Sequence, residues 1–251
     1  MATVILVRHG RTTANASGVL AGRSKGVHLD DVGTAQAKAV GERLAVLSLA
    51  AVVTSPLERT RETAKAVAAA QLPPARPLAE RGLLECDYGS WTGRDLASLA
   101  KEDLWRTVQA HPSAAVFPEG ASMADMAARS VAAVRRWDAK VAEEHGHDAV
   151  WVAVSHADVI KAILADALGM HLDSFQRLVV DPASLSVVRY TPLRPFVATV
   201  NSTAGDLSHL KPPAKKSRRR KVSSDATVGG GAGSGAGSVP GRPAGGAGRR
   251  A

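Results

Sequence analysis

Three apolar segments of the sequence each lead into a basic or imidazole side chain, and these are groups that proteins use to bind phosphate. The segments and the groups that follow them are Val4–Val7 with Arg8 and His9, Leu49–Thr54 with Arg59, and Ala149–Val154 with His156. Unbroken apolar runs of this length are typical of strands buried on both faces of a sheet. Because ligands bind beyond the carboxyl ends of parallel strands, the three groups are predicted to converge on one anionic ligand.

The chemistry that such a cluster could perform is phosphoryl transfer. A phosphoryl group carries spread negative charge, and its transfer depends mainly on positioning and electrostatic stabilisation. His9 could act as a nucleophile through a neutral ring nitrogen, with its other nitrogen donating to a backbone carbonyl near Gly10. Each group alone has an ordinary structural explanation, since a histidine at a strand end is often only a hydrogen-bonding group. The coincidence of three groups favours a functional site.

The motifs around these residues resemble the signature of the histidine phosphatase superfamily, also called the phosphoglycerate mutase-like fold. Its Arg-His-Gly hallmark corresponds to residues 8–10, and its Ser-Pro-x-x-Arg-x-x-x-Thr-Ala pattern corresponds to residues 55–64. Its Glu-x-Asp-aromatic-Gly-x-Trp-x-Gly pattern begins at Glu85, and its Ser-His-Gly motif is matched except that Ala157 replaces the glycine. The resemblance covers about residues 3–205.

The resemblance implies an enzyme that forms a phosphohistidine on His9 and needs no metal or other cofactor. Glu85 would protonate the leaving oxygen, which requires a raised pKa before the reaction begins. The catalytic residues implied in this way are His9, Glu85, Arg8, Arg59 and His156. The predicted substrate-binding residues, some of them in a loop of glycines and cations over residues 16–28, are Arg8, Asn15, Gly22, Arg23, Arg59, His156 and Ala157.

Two reactions of this family share the phosphohistidine step and differ in the acceptor of the phosphoryl group. Mutases of the cofactor-dependent glycolytic type typically carry Glu-Arg-His-Tyr-Gly where this chain has residues 85–89, and the context of Trp91 resembles the small phosphatase branch. Four cations could bind a second acidic group of a mutase substrate, or could equally be surface charges: Arg11, Arg23, Lys25 and Arg94. We therefore favour a phosphatase that acts on a small-molecule phosphomonoester. A phosphomutase and a non-catalytic phospho-ligand-binding protein remain as alternatives.

The hydrophobic pattern predicts an α/β fold, a three-layer sandwich with a mostly parallel central sheet flanked by helices. Capping residues predict a helix after Asp30, and a capping box of Ser55 and Glu58 predicts the start of the helix that carries Arg59. Further helices are predicted over residues 95–109, 122–144 and 157–168, and two last strands over 185–190 and 196–201. The family resemblance implies that the helices between about residues 93 and 147 form a cap over the site.

Charge and composition divide the chain at about residue 210. The net charge is +9, and residues 211–251 hold ten of the 32 Lys and Arg residues but one of the 23 acidic residues, so that residues 1–210 are balanced. We expect a histidine phosphatase domain over 1–210, followed by a disordered, basic Gly/Ala-rich tail that makes at most weak, nonspecific contact with polyanions. Deleting this tail is predicted to leave catalysis unchanged. The single cysteine, Cys86, and the lack of a membrane-length apolar run predict a cytoplasmic protein.

Overall fold

The computed structural model describes residues 1–203 and Gly229. Its strands are β1 Thr3–Arg8, β2 Leu49–Thr54, β3 Leu78–Ala79, β4 Val150–Ser155, β5 Leu185–Arg189 and β6 Phe196–Ser202. Its α-helices are α1 Thr13–Ser17, α2 Asp31–Leu44, α3 Glu58–Ala69, α4 Leu96–Leu99, α5 Asp103–Ala110, α6 Met123–His145 and α7 Ala157–Ala167. Short 3₁₀ turns cover Arg81–Leu83, Gly89–Trp91, Pro112–Ala114 and Leu172–Arg177.

The six strands form one sheet in the order β3-β2-β4-β1-β5-β6. The pairings of β3 with β2, of β2 with β4 and of β4 with β1 are parallel. The pairings of β1 with β5 and of β5 with β6 are antiparallel. The predicted α/β fold is confirmed, and so is the final hairpin. The sheet is mixed, with its parallel half made of the strands that precede Arg8, Arg59 and His156.

Alternate residues of β1 enter two separate hydrophobic cores, and this accounts for the three layers. Val4 and Leu6 pack in the core that contains apolar residues of α6 and α7. Ile5 and Val7 pack in the core that contains apolar residues of α2 and α3. Because successive side chains of a strand point to opposite faces, a strand without polar residues needs helices on both sides. The sheet therefore lies between two helical layers, and the carboxyl ends of β1, β2 and β4 meet at one edge.

The helix boundaries follow local capping signals where no tertiary contact competes with them. Asp30 caps α2 by accepting the N–H of Gly33 at 2.7 Å. Ser122 caps α6 by accepting the N–H of Asp125 at 2.9 Å. Both of these predicted helices are confirmed, because a side-chain oxygen satisfies an N–H group that the helix leaves without an internal partner.

The capping box predicted at Ser55 is wrong. The α3 helix begins at Glu58, and Leu57 occupies the cap position without a side-chain bond. The backbone N–H of Ser55 donates to the carbonyl of Val154 at 2.9 Å, so the chain is still bonded to β4 at this point. The Ser55 hydroxyl lies 2.9 Å from Nε2 of His156. The Ser55 side chain, which the local pattern assigned to the helix cap, therefore contacts His156 instead.

Two further boundaries differ from the prediction. The helix predicted over 95–109 is two helices, α4 and α5, and Glu102 in the turn between them forms an ion pair with Arg94 at 2.5 Å. The two-residue strand β3 was not predicted, because its side chains are exposed and prolines precede it. The role of α4–α6 as a cap over the site remains a prediction. The tail predicted for residues 211–251 lies outside the described residues, apart from Gly229. No helix in the described part of the chain is long and apolar enough to cross a membrane.

Candidate active site

His9 follows the end of β1 with its ring held in one tautomer. Its backbone N–H donates to the carbonyl of Ser155 at 3.0 Å, which extends the pairing of β1 with β4 by one residue. Ring atom Nδ1 lies 2.7 Å from the carbonyl oxygen of Gly10. Because a carbonyl can only accept, Nδ1 carries the proton and Nε2 keeps a lone pair. The structure thus places the backbone partner of His9 where the sequence predicted it.

Gly10 is required at this turn because there is no room for a side chain. A Cβ atom at this position would lie 2.4 Å from the carbonyl oxygen of Gly33. The N–H of Gly10 donates to Oγ1 of Thr63 at 3.1 Å, which ties the turn after β1 to helix α3. The carbonyl that orients His9 is therefore fixed from two neighbouring elements.

Arg59 connects His9 with His156. It is 2% exposed, and its Nε donates to Nε2 of His9 at 3.3 Å. Its Nη2 donates to the carbonyl of Gly22 at 2.7 Å and lies 3.3 Å from Nδ1 of His156. Its Nη1 is buried and has no hydrogen-bond partner among residues 1–203 and Gly229. A buried guanidinium donor without a partner marks a place where an anion can bind.

His156 follows the end of β4, and both of its ring nitrogens contact protein groups. Because a guanidinium only donates, Nδ1 accepts from Arg59, and Nε2 carries the proton that points to the Ser55 hydroxyl. The rings of His9 and His156 are 5.3 Å apart and nearly perpendicular. Burial, together with the charges of Arg59 and Arg8, holds the pKa of both histidines well below 6.5. Both imidazoles are therefore neutral.

Arg8 is buried beside this cluster. Its Nη1 donates to the carbonyl of Val180 at 2.8 Å. Burial lowers the pKa of Arg8 to about 10, and the nearby acids Glu85, Asp181 and Asp158 counteract this effect. At neutral pH the guanidinium is thus still charged, which makes it a suitable partner for phosphoryl oxygens.

Glu85 brings a carboxyl group to the same cluster from a segment without regular structure. It is 2% exposed, and its Oε2 lies 4.0 Å from Nδ1 of His156. Its Oε1 accepts the N–H of Cys86 at 2.9 Å. Burial, and then the negative charge of Asp158, raise the pKa of Glu85 to about 7. A carboxylic acid with this pKa can donate a proton near neutral pH.

The other predicted substrate-binding residues are placed at different distances from this cluster. Asn15 lies in α1, where its Oδ1 accepts from the backbone and hydroxyl of Thr12, so its amide NH₂ is left for other partners. Gly22 accepts from Arg59, and both residues line the cavity. Arg23 instead donates to the carbonyl of Glu85 at 2.9 Å and pairs with Asp87 at 3.1 Å. The Arg23 guanidinium thus binds the segment that carries Glu85.

Ala157 is the first residue of α7 and is completely buried. It is absent from the non-glycine residues that adopt a positive φ in the described part of the chain. An alanine is therefore tolerated where the family motif has glycine, because the backbone does not need the left-handed region. The substitution leaves the turn after His156 intact.

A small cavity lies between these residues, with a volume of about 20 Å³. This is room for one water molecule. The residues that line it are His9, Asn15, Val19, Leu20, Ala21, Gly22, Arg59, Glu85, Leu96 and Gly229. Gly229 donates its backbone N–H to Oδ2 of Asp158 at 3.0 Å. One residue of the segment that the sequence predicted to be a separate tail therefore lies at the cavity wall.

Several groups around the site were not predicted from the sequence. Asp158 is completely buried in the first turn of α7, where its Oδ2 also accepts the hydroxyl of Tyr88 at 2.8 Å. Lys161 lies 3.8 Å from the other carboxylate oxygen of Asp158. Arg129 on α6 donates to the carbonyl of Glu85. An acid two residues after a strand-end histidine was the one available signal for Asp158, whereas nothing in the sequence distinguishes Arg129 from a surface arginine.

Comparison with known proteins identifies the family. The model of the histidine phosphatase superfamily (branch 1) matches residues 4–203. The chain belongs to this superfamily. Proteins named "Probable phosphoglycerate mutase GpmB" are similar to it: the one from Klebsiella pneumoniae is 34% identical over 225 residues, which span 88% of this chain and 100% of that protein. The one from Yersinia enterocolitica is also 34% identical, over 85% of this chain and 97% of that protein.

Solved structures of superfamily members share the fold. An alpha-ribazole phosphatase from Shigella flexneri is 25% identical, with a TM-score of 0.68 over 80% of this chain and 96% of that chain. A mycobacterial glucosyl-3-phosphoglycerate phosphatase is 23% identical, with a TM-score of 0.71 over 80% of this chain and 98% of that chain. The related proteins thus carry the names of both a mutase and phosphatases.

Proposed function

We propose that this protein hydrolyses small phosphomonoesters through a phosphohistidine intermediate on His9. The observation that carries the proposal is the state of the His9 ring, since Nδ1 is engaged by the carbonyl of Gly10 and Nε2 is an unprotonated acceptor beside Arg59. A neutral nitrogen nucleophile next to a guanidinium suits attack on phosphorus, because the cation reduces repulsion from the phosphoryl oxygens.

In the first step, Nε2 of His9 attacks phosphorus, the P–N bond forms and the bond from phosphorus to the leaving oxygen breaks. Glu85 gives its proton to the leaving oxygen, and the alcohol departs. In the second step, the Glu85 carboxylate takes a proton from water as the water oxygen attacks phosphorus. The P–N bond then breaks, which releases phosphate and returns His9 to its neutral form. The net reaction consumes one water molecule.

The contacts of Arg59 support its role in holding the phosphoryl group. In the structure it donates to two neutral imidazole nitrogens at 3.3 Å each, and its buried Nη1 has no partner within the described residues. A phosphoryl oxygen is a stronger acceptor than an imidazole, because the hydrogen bond is then assisted by charge on both partners. Arg8, His156 and the Asn15 amide are proposed to complete the phosphoryl site.

A phosphomutase is the second candidate, and the similarity to proteins named as phosphoglycerate mutases favours it. A mutase would share the first step and then return the phosphoryl group to a second hydroxyl instead of water. Incubation with 3-phosphoglycerate, followed by measurement of 2-phosphoglycerate and of free phosphate, distinguishes the two. Release of free phosphate supports the phosphatase, and isomerisation without release supports the mutase.

Trapping of the phosphoenzyme tests the proposal directly. Rapid quenching with a ³²P-labelled aryl phosphate is expected to give a label on His9 that is stable in alkali and labile in acid. His9→Ala should lose both the label and turnover, whereas His111→Ala is the matched control, because His111 lies on the surface with 74% of its side chain exposed. Near-normal turnover by His9→Ala would contradict the mechanism. Absence of turnover in the intact protein would favour a phospho-ligand-binding role.

A further inference from the structure

The segment from Glu80 to Asp87 carries Glu85 but has only one 3₁₀ turn of its own. Other parts of the chain therefore determine where the carboxyl group lies. The hydroxyl of Ser155, at the end of β4, donates to the carbonyl of Leu83 at 2.8 Å. Arg23 donates to the carbonyl of Glu85 from the loop after α1. Further contacts come from helix α6.

Arg129 on α6 holds two carbonyls of this segment with one guanidinium. Its Nη1 donates to the carbonyl of Gly82 at 2.7 Å, and its Nη2 donates to the carbonyl of Glu85 at 2.9 Å. The planar fork of an arginine fixes both the distance and the angle between two acceptors, which the single ammonium of a lysine cannot do. The backbone on either side of residues 83 and 84 is thus clamped directly next to the acid.

Close packing of the same segment on α6 makes the clamp rigid. A Cβ atom added to Gly82 would lie 2.4 Å from Cβ of Ala133, one helical turn after Arg129. Donors from three elements thus bind carbonyls of this segment. Arg129 on α6 and Arg23 bind the carbonyl of Glu85, and Ser155 of β4 binds the carbonyl of Leu83. A side chain that is itself buried and whose backbone is held in this way has few ways to move away from the leaving oxygen.

The charge of Arg129 also acts on Glu85. Several charged or titratable groups surround Glu85. They are Arg8 at the end of β1, Arg59 on α3, His156 after β4, Asp158 and Lys161 on α7, Arg129 on α6, Arg23, and Cys86 and Tyr88 of its own segment. Asp158 raises the pKa of Glu85, whereas Arg59 and Arg129 lower it. Removing the Arg129 charge should therefore move the pKa of Glu85 upward.

We propose that Arg129 is a positioning residue for the proton transfer by Glu85. Both terminal nitrogens of its guanidinium are engaged by the carbonyls of Gly82 and Glu85, so we assign it no part in binding the phosphoryl group. This inference rests on the proposed function, in which Glu85 is the proton donor. Through Arg129, helix α6 would assist the departure of the alcohol, although it contributes no atom to the proposed phosphoryl site.

The test compares Arg129→Met with Arg129→Lys and with Arg135→Met as the matched control on the same helix, where Arg135 pairs with Asp166 at 2.7 Å instead. For Arg129→Met we expect kcat on an alkyl phosphate to fall about 10- to 100-fold, because a misplaced acid cannot reach a poor leaving group. The loss on p-nitrophenyl phosphate should be at most about threefold, since that leaving group needs no proton. Inhibition by inorganic phosphate should be unchanged, and the alkaline limb of the kcat profile should move to higher pH.

Arg129→Lys keeps the charge and is expected to recover part of the loss on the alkyl phosphate. If Arg129→Met does not fold, Arg129→Lys alone tests the inference. A lysine can contact only one of the two carbonyls, so full activity of Arg129→Lys would contradict the need for both contacts. Equal losses on both substrates, or weaker phosphate inhibition, would overturn the inference and leave Arg129 a structural residue. The variant Glu85→Gln separates a failure of this inference from a failure of the proposed function. If the loss of activity in Glu85→Gln does not depend on the leaving group, Glu85 is not the proton donor and the proposed function itself is contradicted.

Discussion

The two halves of the site are constructed in different ways. The half proposed to bind the phosphoryl group, here called the phosphoryl half, consists of Arg8, His9, Arg59 and His156. Each lies at or just after the carboxyl end of a strand of the parallel half of the sheet, or at the start of the helix that follows. The half proposed to deliver the proton, here called the acid half, consists of Glu85 in a segment with little regular structure. Side chains from α6, β4 and the loop of Arg23 hold this segment in place.

This difference indicates how one fold can serve more than one reaction. Binding and attack on a phosphoryl group need the geometry of the sheet edge, which depends on backbone pairing and changes little with side-chain substitution. Proton delivery depends on long-range side-chain contacts, which can change without disturbing the sheet. We therefore expect the two halves to respond to mutation in separable ways, and the following predictions test that separation.

The largest effect is expected in the phosphoryl half. Arg59→Met should lower kcat/KM by about 1000-fold on alkyl and aryl phosphates alike, because it removes a charge-assisted donor from the transferring group. Arg61→Met, an exposed arginine two residues further along the same helix, is the control and should retain activity. Steady-state kinetics with both substrate types measure the effect. A loss confined to alkyl phosphates would place Arg59 in the acid half.

A loss that depends on the leaving group is expected in the acid half. Glu85→Gln should lower kcat on an alkyl phosphate about 100-fold and on p-nitrophenyl phosphate only a few-fold, since only the alkoxide needs a proton. Glu143→Gln, an exposed acid on α6, serves as the control. The comparison uses kcat for a series of phosphomonoesters with leaving groups of increasing pKa. A uniform decrease across the series would show that Glu85 does not act as the acid.

The pH dependence should follow the same division. In its proposed role Glu85 donates only when protonated. Its pKa is raised to about 7, so kcat/KM is expected to fall about tenfold per pH unit above that value. A bound phosphate adds negative charge, which disfavours the carboxylate, so the corresponding limb of kcat should lie at higher pH. Burial and Arg59 keep His9 neutral, so the acid limb should lie well below pH 6.5. A Glu85→Gln profile that kept the alkaline limb would assign that limb to another group.

The smallest effect is expected on removal of residues 211–251. The truncated protein should keep its melting temperature and its kcat, because all of the proposed catalytic residues lie within residues 1–203. Gly229 contacts Asp158 at the cavity wall, so any consequence of losing it should be confined to KM. Binding to a polyanion at low salt should disappear, since this segment holds the excess positive charge. A large decrease in kcat would contradict the division of the chain at residue 210.

The sequence alone determined the parts of the site that depend on short-range pattern. The buried runs before Arg8, Arg59 and His156 could be recognised as strands, and the carboxyl ends of parallel strands must meet at one edge. Helix α2 could be placed because its N-cap side chain competes only with its own backbone, and α6 because its apolar residues recur at helical spacing. The family motif then supplied Glu85, which no local pattern distinguishes from a surface acid.

Only the tertiary structure decided the contacts between residues that are far apart in sequence. Ser55 could have capped a helix, but its hydroxyl meets His156, which lies 101 positions later. Arg129 could have been a solvent-exposed residue of an amphipathic helix, but it lies 44 positions from the carbonyl of Glu85 that it binds. Such contacts depend on how α6 packs against the segment of Glu85, through a glycine without room for a side chain. That packing follows from the shape of the whole core, which no short stretch of sequence specifies.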